Sequence, residues 1–363
     1  MRCGDTMKII KIILVISVLF LFGCQKEDIQ LYSQSFVGPF DTVTQYMSYA
    51  QSEEEFLGQC TYIEERLHYY DSLFDRFHLA KGMNNVKTIN DHAGIEPVHV
   101  DQALLDVIEQ SMERYHTLSN RVNIGLGAVT DIWHRYRQEA DNHNGIGKAP
   151  LKSELLQAGQ HTSIENIVVD KQAQTVFLKD PKMLLDVGAV AKGYAMECLK
   201  DELISHDVDN FLLSGGGNVV SHGRRKIRKE GNFDLDACHD YFCVGIQSPF
   251  HNNNIASLIV KGESVVTSGN YQRYYEDRHG HKFHHLIDPE TFYPAQFASS
   301  VTVVCEDSGL ADYLSSALFL MPYAQGKEKI ESLDNVEAIW IFEDGQVKMS
   351  SGLILGENIS MVE

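Results

Sequence analysis

The sequence predicts an α+β fold, a single large domain with a mixed, largely antiparallel sheet flanked by helices. Apolar residues make up 44% of the 363 residues, which is enough for a substantial core. Segments with apolar residues at alternate positions and segments with apolar residues at helical spacing both occur along the chain. They do not follow the regular strand–helix alternation of parallel α/β proteins, and this favours antiparallel pairing.

The N-terminal third is predicted to contain a first strand over residues 40–44 and two amphipathic helices. The first helix follows Ser52 and three glutamates, a pattern typical of a capped helix N-terminus. The second helix follows Asp101, which we interpret as its N-cap. The apolar faces consist of Phe56, Cys60, Ile63, Leu67, Tyr70 and Phe74 in the first helix and of Leu104, Ile108, Met112 and Tyr115 in the second.

The centre of the sequence is predicted to form a strand, a tight turn and a helix. Residues 184–185 are predicted to end a buried strand, and the helix to begin near residues 189–190. Such a turn presents backbone N–H groups and the positive end of the helix, to which Lys192 adds a charge, and this suits a phosphate. The alternative is a plain glycine turn in which Asp186 is a cap and Lys192 is solvated.

Neither glycine-rich stretch matches a known phosphate-binding motif. A Walker loop ends in Gly-Lys-Ser/Thr, whereas residues 191–193 are Ala-Lys-Gly. Residues 214–218, Ser-Gly-Gly-Gly-Asn, lead into a strand and lack the last glycine of the dinucleotide fingerprint. A P-loop or a Rossmann site is therefore not predicted.

The C-terminal half is predicted to continue the sheet, with strands over residues 244–247, 255–260 and 264–267. A helix is predicted from Ser308, with Asp312 and Ser316 one turn apart on the side opposite its apolar face. A carboxylate and a hydroxyl at this spacing supply hard oxygen ligands suited to Mg²⁺. The alternative is a polar stripe that faces solvent.

A histidine cluster follows the strand that ends near residue 267. His284 and His285 point to opposite faces if they lie in a strand, so a zinc cluster with His281 is not predicted. One interpretation is an exposed, histidine-rich hairpin. The other is that a single inward-facing histidine acts as a general base.

Charge and cysteine content exclude several classes of protein. The formal net charge is −19, which argues against a nucleic-acid partner and requires a local cation for any anionic substrate. The seven cysteines include no Cys-x-x-Cys pair, so neither a zinc site nor a thioredoxin-type motif is indicated. A disulfide between Cys238 and Cys243 is left open.

Residues 1–23 are predicted to be a lipoprotein signal peptide. Lys8 and Lys11 flank the start of an apolar run that is too short for a confident membrane span. The run ends in Leu-Phe-Gly-Cys, which resembles the bacterial lipobox, so Cys24 is the predicted lipid attachment site. We expect a tether over residues 24–33, a domain over 34–363, and a lipid anchor on the extracytoplasmic face of a bacterial cell membrane. A plain signal anchor is the alternative.

Five short motifs occur in a fixed order along the chain. They are Asp-x-Gly-x-x-Ala-Lys-Gly-Tyr-Ala (186–195), Gly-Gly-Asn (216–218), Thr-Ser-Gly-x-Tyr-x-Arg (267–273), His-x-x-Asp-Pro-x-Thr-x-x-Pro (285–294) and Val-Thr-Val with Ala-Asp (301–312). In this combination and order they resemble the ApbE-type FAD:protein FMN transferase family. The resemblance extends over nearly all of the chain that follows the signal segment.

The resemblance implies an ApbE-like domain that holds FAD with Mg²⁺, transfers FMN through a phosphoester bond to a Thr or Ser hydroxyl of an acceptor protein, and releases AMP. The acceptor would belong to a membrane or extracytoplasmic electron-transport system. His285 matches the catalytic histidine, so His284, on the opposite strand face, is expected to be dispensable. FAD contacts are implied for Phe40, Phe77, Arg121, Val122, Asn123, Asp186, Lys192 and Ile287, and metal ligands for Ala189, Asp312 and Ser316.

Some positions depart from the family pattern. Ser316 replaces the usual Thr, which keeps the hydroxyl, and Asn123 replaces the usual Asp. Residues 40–42 are Phe-Asp-Thr in place of Met-Gly-Thr. Phe292 replaces the usual Gly of the Asp-Pro turn, which puts the positive φ of that turn in question.

Two other functions use the same residues. An FAD pyrophosphatase would use water as the acceptor and form FMN and AMP. A non-catalytic flavin-binding lipoprotein would only hold FAD, although mere binding does not need a base such as His285.

Overall fold

The computed structural model describes residues 29–225 and 240–362. The predicted signal peptide, its lipidation site Cys24, and Cys238 lie outside the described residues. Cys243 is disulfide-bonded, whereas Cys60, Cys198 and Cys305 are free thiols.

An eight-stranded antiparallel sheet is the central element of the described chain. From one edge to the other its strands are β1 (Gln30–Val37), β2 (Val43–Ala50), β6 (Phe211–Gly215), β7 (Asn218–His222), β10 (Ser264–Gly269), β13 (Ser300–Cys305), β14 (Glu337–Ile341) and β15 (Val347–Met349). The central strands are largely buried on both faces because helices cover one side and a smaller sheet covers part of the other.

Three smaller antiparallel sheets complete the strands of the described residues. One consists of β3 (Val98–His99), β5 (Thr175–Leu178) and β4 (Ile167–Asp170), and another of β16 (Ile359–Met361), β9 (Asn254–Val260) and β8 (Phe242–Gln247). A hairpin pairs β11 (Tyr274–Glu276) with β12 (Lys282–His284).

Eight α-helices of the described residues pack around these sheets. They are α1 (Glu53–Phe74), α2 (Val86–Asp91), α3 (Gln102–Thr117), α4 (Gly127–Asp141), α5 (Lys152–Ala158), α6 (Ala191–Ser205), α7 (Ser308–Phe319) and α8 (Tyr323–Glu331). The predicted caps are present, since Ser52 accepts the N–H of Glu55 and Asp101 accepts that of Ala103. The α+β fold with mainly antiparallel pairing is confirmed. No helix of the described residues is long and apolar enough to cross a membrane.

Helix α7 is buried on nearly all sides, packed against α6, β10 and β13. Its sequence is apolar or small around most of its circumference, as expected for a helix inside a domain. Asp312 and Ser316 are consequently only 7% and 4% exposed. The predicted alternative of a solvent-facing polar stripe on this helix is therefore wrong.

The first strands differ from the prediction. Strand β1 begins at Gln30, inside the predicted tether, because its backbone pairs with β2 and the Tyr32 ring stacks on Phe56 at 5.4 Å. The strand predicted over residues 40–44 begins only at Val43. Phe40 and Asp41 before it form a short 3₁₀ turn with φ of 56° and 53°.

Leu184 and Leu185 are not part of a sheet, although a buried strand was predicted to end there. Strand β5 ends at Leu178, and the chain then runs extended into the turn before α6. The Asn90 side chain replaces a neighbouring strand, since it accepts the Leu185 N–H at 2.7 Å and donates to the Leu185 carbonyl at 3.0 Å. Helix α6 begins at Ala191, slightly later than predicted.

Helices α6 and α7 cross at Gly193, where the space admits no side chain. A Cβ atom on Gly193 would lie 2.3 Å from the Asp312 Cβ and 2.5 Å from the Ser308 carbonyl oxygen. We expect Gly193→Ala to lower the free energy of unfolding by ~1–3 kcal/mol through overpacking, as measured by urea titration. Gly58→Ala on α1 is the matched control, because a Cβ there meets nothing within 4 Å. That change should be neutral or stabilising, and equal effects of the two substitutions would contradict the close crossing.

Candidate functional site

The turn before α6 is fixed by the Asp186 carboxylate. It accepts hydrogen bonds from Arg76 Nη1 at 2.5 Å, Thr130 Oγ1 at 2.6 Å and the Gly188 N–H at 3.0 Å. Burial would raise the pKa of Asp186, but the Arg76 charge and these donors hold it below its ordinary value. Asp186 is therefore an ionised, fully hydrogen-bonded anchor for the turn.

Lys192, in the first turn of α6, connects the two glycine-rich stretches. Its Nζ donates to the Gly216 carbonyl oxygen at 2.5 Å, and Gly216 has a φ of 53° in the turn between β6 and β7. Burial lowers the pKa of Lys192, while Asp312 opposes that change. The structure thus brings Lys192 and the Gly-Gly-Asn motif to one place, and phosphate binding there stays a prediction.

Asp312 of α7 reaches the N-terminus of α6. Its Oδ2 accepts the Gly193 N–H at 2.7 Å, so the carboxylate of one helix caps another. Burial raises the pKa of Asp312 to about 6, although Lys192 and the Gly193 N–H favour the charged form. Asp312 is therefore a buried carboxylate whose charge is only partly compensated by its protein neighbours.

Further polar groups lie near Asp312 in the fold. The Ser268 hydroxyl lies 2.9 Å from Ser315 Oγ and 3.2 Å from Ser316 Oγ. Asn218 lowers the pKa of Asp312, and its buried Oδ1 has no partner among the described residues. A cation is favourable at such a site, because the buried acceptor has no hydrogen-bond partner and the charge of the carboxylate is only partly compensated.

The donor set fits a hard divalent cation. Within residues 29–225 and 240–362 no three His, Cys, Asp or Glu side chains cluster as a metal site. A cation beside Asp312 would therefore be held by one carboxylate and neutral oxygens, which suits Mg²⁺ better than Zn²⁺. Ala189 lies in the turn directly ahead of α6, whose N-terminus Asp312 contacts, and metal binding by Ala189, Asp312 and Ser316 stays a prediction.

His285 follows β12 and is held by the backbone of Arg273. Its N–H and its Nδ1 both donate to the Arg273 carbonyl oxygen, at 3.2 Å and 3.3 Å. This assignment of Nδ1 as the donor leaves Nε2 as a free acceptor. The residue is accessible to solvent, with protein groups close around its ring. Withdrawal from bulk water and the Arg273 charge lower the pKa of His285 to about 3, so the imidazole is neutral.

His284 lies on the opposite face, as predicted, but it is buried. Its Nε2 donates to the Ala295 carbonyl at 2.8 Å, its Nδ1 accepts the Leu286 N–H, and its ring meets Phe319 edge-on at 5.6 Å. This side chain connects the hairpin to α7, and the expectation that His284 is dispensable for FMN transfer stays a prediction. His281 does lie in an exposed position, paired with Asp277.

Phe292 keeps the positive φ of the Asp-Pro turn, at 63°, although it is not glycine. Its carbonyl accepts the Trp133 Nε1–H at 2.8 Å, and its ring packs directly over Gly159. The replacement of the usual glycine therefore leaves the turn geometry unchanged and adds a packing contact.

Two of the predicted FAD contacts border the same cleft. The Phe77 ring is 42% exposed, stacks on His134 at 4.3 Å and carries the Arg76 guanidinium 4.9 Å from its centroid. The Phe40 carbonyl accepts a hydrogen bond from Arg273 Nη2 at 3.1 Å. Phe77 thus lies next to the Asp186 anchor, and Phe40 next to the residue that holds His285.

The other predicted FAD contacts are part of the scaffold beside the cleft. Arg121 is paired with Asp288 at 3.2 Å and Glu290 at 3.0 Å. Asn123 accepts the Gly125 N–H and donates to the Thr162 carbonyl. Val122 and Ile287 are 3% and 4% exposed. A direct role of these four side chains toward FAD stays a prediction.

Sequence reasoning missed Arg76, Thr130, His134 and Arg137. The only sequence signal for Arg76 is indirect. A buried carboxylate such as Asp186 requires a cation, so the sequence implies that one lies nearby. The pair is separated by 110 positions, so spacing could not identify the partner.

Comparisons with known proteins agree with this geometry. The chain is 29% identical over 271 residues to an FAD:protein FMN transferase of Klebsiella pneumoniae (strain 342), covering 74% of this chain and 78% of that protein. It is 29% identical over 273 residues to an FAD:protein FMN transferase of Treponema pallidum (strain Nichols), covering 73% of each.

Solved structures share the fold. The ApbE protein of Thermotoga maritima superposes with a TM-score of 0.76 at 24% identity, over 89% of this chain and 98% of that one. The flavin transferase ApbE from Vibrio cholerae does so with a TM-score of 0.71 at 20% identity and the same coverage. The model of the ApbE family matches residues 40–340, which include Asp186, Lys192, His285, Asp312 and Ser316. The chain therefore belongs to the ApbE family.

Proposed function

We propose that this protein transfers FMN from FAD to a Thr or Ser hydroxyl of an acceptor protein, with Mg²⁺, and releases AMP. The observation that carries the proposal is the contact of the buried Asp312 carboxylate with the N-terminus of α6, beside Lys192. The names of the Klebsiella and Treponema relatives support the same activity.

The α6 end is suited to the pyrophosphate of FAD. A helix N-terminus carries a partial positive charge, and Lys192 adds a full charge. In a protein of net charge −19 such local compensation is needed to hold a dianion. Mg²⁺ would be held by Asp312, Ser316 and the Ala189 carbonyl, with Asn218 nearby, and when bound it would neutralise charge on the phosphates.

In the proposed reaction, His285 accepts the proton of the acceptor hydroxyl. The hydroxyl oxygen attacks the FMN phosphorus, the bond to the AMP oxygen breaks, and AMP leaves with that oxygen. The hydroxyl proton goes to Nε2 of the neutral imidazole, whose Nδ1 stays bonded to the Arg273 carbonyl. Because the backbone of Arg273 fixes the ring, no tautomer change is needed before the transfer.

A covalent flavin assay tests the proposal. The protein lacking residues 1–24 would be mixed with FAD, Mg²⁺ and a candidate electron-transport acceptor, and the products separated by denaturing electrophoresis. We expect a fluorescent flavin band on the acceptor and one AMP per flavin transferred. Free FMN without a band would favour the pyrophosphatase, and unchanged FAD would favour a protein that only binds flavin.

We also propose that Cys24 carries a lipid and anchors the protein at the extracytoplasmic face of the membrane. Support comes from the short apolar run that ends in Leu-Phe-Gly-Cys. Radiolabelled fatty acid should enter the wild-type protein in a bacterial host and should not enter Cys24→Ala. Equal labelling of the two would refute the anchor, and Cys60→Ala is a control for labelling of a thiol inside the domain.

A further inference from the structure

Two arginines near His285 have no acidic partner among the residues that the structure describes. Neither Arg137 of α4 nor Arg273 forms an ion pair with a carboxylate of the described residues, although the protein has 50 acidic against 31 basic side chains. Most other cleft and surface arginines, such as Arg76 and Arg121, are paired. Two guanidinium groups that have no carboxylate partner among the described residues of an acidic protein indicate a place where a ligand supplies the negative charge.

Both arginines are held by neutral acceptors. Arg137 Nη2 donates to His134 Nδ1 at 3.1 Å, and because arginine can only donate, this nitrogen of His134 is unprotonated. The His134 ring in turn stacks on Phe77. Arg273 donates to the Phe40 carbonyl and accepts the His285 hydrogen bonds through its own carbonyl. The guanidinium groups are therefore positioned without being neutralised.

The two charges act on each other and on the reactive groups. Burial and Arg273 lower the pKa of Arg137, while Asp141 and Asp41 attract it without forming an ion pair. Arg273 and Arg137 both lower the pKa of His285, and Arg273 also lowers that of Lys192. Helix α4 packs against β11, and the Trp133 ring, one helical turn before Arg137, lies 6.5 Å from the ring of Tyr275, which follows Arg273 by two positions. The two arginines are therefore neighbours beside His285, and an anion bound between them would relieve their repulsion.

We propose that Arg137, together with Arg273, binds the oxygens of the phosphate on the riboflavin side of FAD, directly beside His285. This inference rests on the proposed function. The base must reach the hydroxyl that attacks this phosphorus, so the base lies close to the phosphorus. Cations grouped around the base therefore also lie around the phosphorus. Phosphoryl transfer spreads negative charge over the three equatorial oxygens, which guanidinium groups stabilise well. Arg137 would therefore assist catalysis as well as binding.

Paired ligands that differ by one phosphate test this assignment. Affinities for FMN and riboflavin, and for AMP and adenosine, would be measured by calorimetry with Mg²⁺ on wild type and Arg137→Gln. We expect Arg137→Gln to weaken FMN binding at least about 10-fold, because a hydrogen bond to a charged group is lost. Riboflavin, AMP and adenosine affinities should stay unchanged, and unchanged riboflavin affinity also shows that the cleft is folded.

Two further variants sharpen the test. Arg137→Lys should recover part of the FMN affinity, because it restores the charge without the planar fork. Arg135→Gln is the matched control on the same helix, since Arg135 is exposed and paired with Asp131 and Glu154. It should change none of the four affinities.

Each other outcome overturns the assignment. A loss of AMP affinity in place of FMN affinity would put Arg137 at the other phosphate, and equal losses for FMN and riboflavin would make it a residue of the flavin pocket. Unchanged FMN affinity in Arg137→Gln would remove the arginine from the site. In each case the flavin band formed by wild type decides the proposed function separately.

Discussion

Asp312→Asn is expected to abolish Mg²⁺-dependent FMN transfer, with a loss of at least about 10³-fold in kcat/KM. The asparagine oxygen can still accept the Gly193 N–H, so the cap on α6 is retained while the negative charge is lost. The variant therefore differs from wild type at this position only in charge. Asp312→Ala should be equally inactive, but it also removes the cap. The measurement is the rate of flavin incorporation over a range of Mg²⁺ concentrations.

Stability gives a second measurement that does not depend on turnover. The pKa of Asp312 is raised in the folded protein to about 6, above the ~3.9 of an unfolded aspartate. The folded state therefore binds more protons between these values, so the carboxylate lowers stability progressively as pH rises through this window. At pH 7 without Mg²⁺, Asp312→Asn should unfold at no lower temperature than wild type. Added Mg²⁺ should stabilise wild type and leave the variant unchanged.

Asp307→Asn is the matched control for Asp312→Asn. Asp307 is also a carboxylate that caps a helix, accepting the Leu310 N–H at 2.7 Å at the start of α7, but it is 48% exposed and faces Arg114. Asparagine is an equally good N-cap, so activity and stability should both be retained. Wild-type activity of Asp312→Asn at limiting Mg²⁺, or the same loss in Asp307→Asn, would refute the metal assignment.

The sequence could predict the local parts of the site and not their surroundings. Helical spacing placed Asp312 and Ser316 one turn apart and opposite the apolar face, and the structure agrees. Helical spacing cannot distinguish a polar stripe that faces water from a polar stripe that faces a cleft, since the residues are polar in both cases. The difference depends on β10, which brings Ser268 to within 3.2 Å of Ser316 from 48 positions away.

Contacts from distant residues also explain where the sequence predictions and the structure differ. Strand alternation correctly separated His284 from His285, but it could not show that Phe319 of α7 covers the His284 face. Leu184 and Leu185 have the apolar character of a strand, yet the Asn90 side chain supplies the hydrogen bonds that a neighbouring strand would supply. In both cases the deciding contact comes from a residue far along the chain, which periodicity does not report.

His285→Ala is expected to slow FMN transfer at least about 10²-fold while FAD binds almost as tightly as to wild type. The base acts on the acceptor hydroxyl, whereas ground-state affinity for FAD comes from the α6 end, Lys192 and the cleft walls. The expected result is therefore a loss in the rate at saturating FAD with little change in affinity. His281→Ala is the control, because this histidine lies on the same hairpin but is exposed and paired with Asp277. It should be fully active.

The pH dependence provides an independent check on His285. Only the neutral imidazole can accept a proton, so the contribution of the base is lost as pH falls through its pKa. An unperturbed histidine would lose it near ~6.5, whereas withdrawal from bulk water and the Arg273 charge lower the pKa of His285 to about 3. The quantity to measure is the ratio of kcat/KM for wild type to kcat/KM for His285→Ala. Since kcat/KM reports the free enzyme, this ratio cancels titrations that the two proteins share. We expect the ratio to stay constant from about pH 8 to about pH 5. A tenfold fall of this ratio near pH 6.5 would show that the cleft does not perturb the base. A loss confined to FAD affinity would instead make His285 a residue that only lines the pocket.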